Sequence, residues 1–394
     1  MKFKYILTAL LCTFSFAACK SEPIDPPADK PTSNDIVLSD SSFFREQRLY
    51  APGDYGSLYW RIPAIITLDD GTLLAVNDKR KYNEGDLPED IDIVVRRSAD
   101  QGLSWSDPIT MVQGTGRKHG FGDPALVQCA NGDVLCLFVG GNGLWASTEA
   151  DPIRSYVCRS TDRGATWSAP EDITSLLWGS QSANTATRNY KGSFFGSGNA
   201  LRLTRGTHKD RIIVVAAMVR KSANILDNFA VYSDDNGHTW QVSERAFLAG
   251  DEAKVVELVD GSVLMSIRQN GPRGKNISTD GGATWGAQST WPEMSTNACN
   301  GDLLRVSATD RGGKRNILLH SIPNSMNREK VSIYVSYDEG LSWQHPVLLF
   351  EGPSVYSSLT LQRNGTIGAY IEKNPNGACE LWYQNFTLPW IENQ

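Results

Sequence analysis

Between residues 59 and 388 the apolar positions fall into short runs, separated by small polar turns. Asp70-Gly71, Asn131-Gly132, Asp260-Gly261, Gly312-Gly313 and Asn364-Gly365 each sit between two β-rich segments. Such dipeptides tolerate the positive φ that tight hairpins demand, so each one predicts a hairpin. Residues 208–217 add a further strand pair whose turn is less clear. No segment keeps a helical period over three turns. The pattern predicts an all-β chain made of short hairpins.

A second signal alternates with the first. The pattern Ser, any residue, Asp, any residue, Gly, two residues, Trp occurs at Ser98–Trp105 and returns at Ser160, Ser233, Ser278 and Ser336. Its five tryptophans are Trp105, Trp167, Trp240, Trp285 and Trp343. Ser and Asp side chains can bond backbone N–H groups across a turn, Gly supplies positive φ, and Trp packs a large apolar surface into a small corner. Strand-like stretches at residues 91–97, 155–159, 229–232 and 331–335 run into these boxes. Hairpin then box, five times over and followed by a last hairpin, predicts repeating four-stranded units and hence a six-bladed β-propeller. Its sixth blade would close by joining residues 36–50 to residues 379–388. The boxes lack the trailing ligands of a calcium loop, so they are read as structural and no metal is expected at them.

Composition narrows the function. Lys plus Arg number 38 and Asp plus Glu 44, giving a net charge of −6, which argues against a nucleic-acid backbone as partner. Lys2 and Lys4, an apolar run over residues 5–18 and the small pair Ala17-Ala18 before Cys19 read as an export signal, too short to span a bilayer. Phe16-Ala17-Ala18-Cys19 resembles a bacterial lipobox. The expectation is therefore a signal peptide over residues 1–18, an acylated Cys19, a disordered Pro-rich tether over residues 19–35 and a catalytic propeller over residues 36–394. That arrangement would anchor the protein to a bacterial membrane, in the periplasm or at the cell surface. Cys129, Cys136, Cys158, Cys299 and Cys379 follow no metal-like spacing and are expected to be free thiols.

The five boxes, together with Tyr59-Trp60-Arg61-Ile62-Pro63-Ala64, resemble the bacterial and animal sialidase (neuraminidase) family with Asp-box repeats. The resemblance spans roughly residues 45–388. It implies an exo-α-sialidase that needs no cofactor, acts as a monomer on sialylated glycans, and hydrolyses with retention through a sialyl-tyrosine. In that family three arginines grip the substrate carboxylate, and Arg61, Arg268 and Arg328 match them. A planar guanidinium forms paired, charge-assisted bonds to a carboxylate, which suits this task. Tyr356, in Ser354-Val355-Tyr356-Ser357-Ser358, matches the nucleophile. A neutral phenol can approach an anomeric carbon that already bears a carboxylate, but it needs an adjacent base. The family's base matches Glu252. Glu257 is the other candidate in the same stretch, although strand alternation would turn it to the opposite face. Arg80 matches an arginine that meets a ring hydroxyl, and Asp86 matches the general acid, with Asp90 and Asp92 close by. Asp123, in Gly122-Asp123-Pro124, matches a position near the N-acetyl side of the sugar. The same residues would serve a trans-sialidase or an intramolecular trans-sialidase. A glycan-binding propeller without catalysis would keep the arginines alone.

Overall fold

The computed structural model describes residues 36–394, except Asn297 and His345. The expected signal peptide, Cys19 and the tether lie outside the described residues.

Nearly all regular structure is antiparallel β, and the helices are one or two turns long, as at Thr174–Leu177 and Leu388–Glu392. The strands build a propeller-like arrangement in which the first strands of successive sheets adjoin around a common centre. One sheet runs Tyr59–Thr67, Leu73–Arg80, Ile91–Ser98, Ile109–Val112 in sequence order, and another Ala253–Glu257, Val263–Ile267, Gly271–Ser278, Ser289–Thr296. Two five-stranded sheets are built on Phe121–Gln128 and on Ile212–Arg220. The remaining sheet has seven strands.

The sequence predicted six separate four-stranded sheets, and here the structure differs. Strand Val347–Leu361 does not turn back between the last two expected sheets. Its first half pairs with Glu329–Ser336 and its second half with Ile367–Lys373, so the two are hydrogen-bonded into one. Gly352-Pro353 interrupts the run in sequence, but a residue before proline favours extended backbone, so the strand continues. Phe44–Tyr50 pairs antiparallel with Glu380–Phe386 at the far edge of this sheet.

All five boxes have the same bonding. The Ser Oγ accepts the Gly N–H at 2.8 Å in each, as from Gly102 to Ser98 and from Gly340 to Ser336. The Asp carboxylate accepts the N–H four residues on, at 2.8 to 2.9 Å. Bonds from Ser104 and its backbone pull the Asp100 carboxyl down to about 2. The residue before each Gly is also left-handed, at φ 63° for Gln101 and 61° for Arg163, which the sequence pattern alone did not reveal.

Strand direction then separates two faces. In the first sheet Leu73 lies opposite Ser98 and Arg80 opposite Ile91, so the box is at one end of the sheet and Arg80 at the other. Antiparallel order repeats this in each box-bearing sheet: boxes cap one face, while the opposite strand ends meet on the other. The apolar faces between neighbouring sheets form the core, as in the cluster of Val76, Val95, Leu126 and Phe138.

Candidate active site

The strand ends opposite the boxes enclose a pocket of about 340 Å³. Its lining includes Arg61, Asp86, Asp123, Glu252, Arg268, Arg328 and Tyr356, so seven of the eight pocket residues expected from sequence meet in one place. The eighth, Arg80, lies just behind the wall and reaches Asp86 at 2.6 Å.

Two backbone irregularities put side chains there. The pairing of Tyr59–Thr67 with its neighbour slips between Arg61 and Ala64, and that of Phe121–Gln128 slips between Gly122 and Ala125. Each slip holds a residue followed by proline: Ile62 at φ 63° and Asp123 at φ 58°. Left-handed backbone is costly for a β-branched residue, and proline has no N–H to give to a ladder, so both belong at bulges. A carboxylate holds each bulge. Glu372 accepts the Ile62 N–H at 2.7 Å, and Asp78 accepts the Asp123 N–H at 3.2 Å.

Tyr356 stands at the centre. Its hydroxyl donates to Glu252 Oε2 at 2.8 Å and accepts from Arg268 Nη1 at 2.9 Å. Arg268 also pairs with Glu252 directly. The Arg61 guanidinium carbon lies 5.7 Å from the centre of the Tyr356 ring. Burial pushes the Tyr356 phenol well above its usual value, and the Glu252 charge pushes it further. Burial also raises the Glu252 carboxyl, with Arg268 offsetting part of the rise. The two shifts suit a proton shared between them: a raised carboxyl is a better base, and a buried phenol is neutral until it gives its proton away.

Arg328 is exposed, donates to the Ala298 carbonyl at 3.1 Å and has no ion-pair partner among the described residues. Asp86 is 80% exposed. The surrounding pocket walls remove some of its solvation and act to raise its carboxyl, but Arg80 and Arg61 outweigh this and hold the group below the usual range. Asp123 is pushed well up by burial and by the nearby charges of Asp78 and Asp86. Asp78 rises to about 7 through burial, with Arg80 opposing.

The alternatives sit elsewhere. Asp90 and Asp92 both pair with Lys81, at 3.0 and 2.9 Å. Glu257 accepts from Thr204 and Arg205 at the far end of its strand.

The chain matches the model of the BNR repeat-like domain family over residues 71–369. A sialidase of Micromonospora viridifaciens is 32% identical over 382 residues, covering 93% of this chain and 57% of that protein. The chain belongs to the sialidase family with BNR repeats. A Bacteroides fragilis sialidase is 29% identical over 346 residues, covering 82% of this chain and 61% of the relative. Among solved structures, the Hadza microbial sialidase Hz136 superposes with a TM-score of 0.77 at 25% identity, over 88% of this chain and 69% of that one. The chain thus spans 57% and 61% of the length of the two curated sialidases.

Behind the lining of this sialidase-family pocket, sequence reasoning missed Glu372 and Asp78. Glu372 is fully buried and accepts three bonds: from Arg61 Nε at 2.8 Å, from the Ile62 N–H at 2.7 Å and from the Tyr356 N–H at 3.0 Å. One carboxylate therefore fixes an arginine and the strand that carries the tyrosine. The only available signal was weak: a carboxylate that closes the apolar run Ala369-Tyr370-Ile371 and is followed by Lys373, since unpaired buried carboxylates are avoided. Also missed were Asp251, which lies 3.3 Å from Arg268 Nε, and an apolar wall of Leu144, Trp145, Phe194 and Leu226. Glu372→Ala is expected to cost about 3–5 kcal/mol of stability, since it strands the Arg61 charge in a part-buried site. Urea unfolding would measure the loss, and a cost below about 1 kcal/mol would refute this account of the residue.

Proposed function

We propose that the protein is a retaining exo-α-sialidase that removes terminal sialic acid from glycoproteins, glycolipids and oligosaccharides. One observation carries the reading: the Tyr356 hydroxyl sits between Glu252 and Arg268 in a pocket that also gathers Arg61 and Arg328. The arginines bind the substrate carboxylate, and Arg80 and Asp123 contact the ring substituents. Asp86 gives its proton to the leaving oxygen as the bond from the anomeric carbon breaks. The Tyr356 oxygen attacks that carbon while Glu252 takes the phenolic proton. Water, deprotonated by Asp86, then displaces Tyr356 from the sialyl-enzyme, and Glu252 returns the proton. Two inversions leave the anomeric configuration unchanged.

Three finer points belong to the same reading. The seven-stranded sheet counts as two blades sharing strand Val347–Leu361, which makes six in all. The protein acts as a monomer. An exported form anchored through acylated Cys19 would hold the pocket near sialylated glycans outside the cytoplasm, a view that rests on the residue pattern before Cys19.

Digestion of sialyllactose with excess lactose analogue, followed by mass spectrometry and early NMR of the product, tests the function. Free sialic acid released as the α-anomer is expected. A sialylated acceptor or an anhydro sugar as main product would overturn hydrolysis, and no turnover of any α-sialoside would overturn the enzyme assignment.

A further inference from the structure

We propose that a second cavity beside the catalytic pocket is a distal subsite for the neutral sugars on the reducing side of a sialylated oligosaccharide. This rests on the sialidase reading above. The cavity measures about 630 Å³, within the range of roughly 300–1,000 Å³ typical of small-ligand pockets. It opens on the same face as the site: Phe121 and Gly141, which line it, stand at the strand ends that carry Asp123. The start of strand Ile153–Ser160 divides the two spaces. Ile153 lines the catalytic pocket, while its neighbours Pro152 and Arg154 line the second cavity.

The acid loop gives the direction. Leu87 lines the catalytic pocket next to Asp86, and the Pro88 carbonyl accepts the N–H of Lys118, which lines the second cavity, at 2.7 Å. The leaving oxygen must reach Asp86, so the sugars attached to it leave on the side where this loop meets the second cavity.

The lining chemistry selects the ligand. The Tyr156 ring is half-buried, stacks on Phe138 with centroids 5.7 Å apart and meets Phe121 edge-on at 5.5 Å. Among the described residues nothing hydrogen-bonds its hydroxyl. A fixed aromatic face with a free hydroxyl suits the apolar face and hydroxyl rim of a pyranose. Both cations at the cavity are already matched: Lys118 by Asp151 at 2.5 Å, and Arg154 by Asp172 at 2.8 Å. A neutral hexose or N-acetylhexosamine therefore fits better than a second acidic sugar.

The test compares kcat/KM for an aryl α-sialoside, which carries no sugar beyond the cleaved bond, with kcat/KM for a sialylated pentasaccharide. Tyr156→Ala is expected to lower the pentasaccharide-to-aryl ratio about fivefold, mainly through KM, the size of one lost aromatic contact. Ala150→Trp, on the exposed rim, should lower the same ratio by filling the space, and it decides the matter if Tyr156→Ala damages the fold. A ratio that stays within about twofold of the parent in Ala150→Trp and in any folded Tyr156→Ala overturns the proposal. A disialylated substrate that loses more than the neutral one in these variants overturns the choice of ligand. Absence of aryl sialoside turnover in the parent protein would instead overturn the sialidase reading itself.

Discussion

Tyr356→Phe is expected to reduce turnover of an aryl α-sialoside by roughly 10³-fold or more, the scale seen when a nucleophile is removed. The phenyl ring keeps the shape of the side chain. Its N–H bond to Glu372 is a backbone bond and survives. The arginine cluster therefore stays assembled, and a carboxylate-bearing sugar analogue should still bind. The loss should fall on kcat. Removing the hydroxyl also takes a donor from Glu252 and an acceptor from Arg268, but these two already pair with each other, so no charge is stranded. Steady-state kinetics and calorimetric binding of the analogue would check both halves. Turnover near the parent rate would show that another group attacks the sugar.

Asp86→Asn is expected to slow sialyllactose hydrolysis by about 10²–10⁴-fold, the usual contribution of a general acid. Activity on an aryl sialoside with a good leaving group should fall much less, because that oxygen departs without a proton. The electrostatics make this residue instructive. In the free protein Arg80 and Arg61 hold its carboxyl low, which disfavours the protonated acid. A substrate carboxylate on Arg61 and Arg268 would neutralise part of that positive field, and the glycan would shield the open carboxyl from water. Both effects raise its proton affinity, so substrate binding itself arms the acid. Equal losses on the two substrates would remove Asp86 from the role.

The site was legible where short stretches of chain carry the signal. Tyr356, Glu252 and Arg61 lie in local motifs, and the boxes announce a repeating unit whose turns use only their own residues. What stayed hidden depends on contacts across the fold. Glu372 meets Arg61 across 311 residues of chain, through the packing of one sheet on the next. Asp78 matters because a bulge in the neighbouring sheet turns the Asp123 N–H toward it. The joined sheet was hidden for a related reason: a strand that changes partners midway looks, in one dimension, like two. Alternation predicts Glu257 on the opposite face from Glu252; what removes it from the site is distance along the strand, whose far end it occupies, bonded to Thr204 and Arg205.

The pairing of Phe44–Tyr50 with Glu380–Phe386 has a consequence for synthesis. The opening strand emerges from the ribosome well before its partner, which follows only after every other strand among the described residues. Until then it presents an unsatisfied edge to every other chain nearby. Such a molecule can complete its circle only once the distant strand has been made, and contacts so far apart in the chain form slowly. A nascent copy is thus most exposed to mispairing with a neighbour in the interval before its two ends find each other.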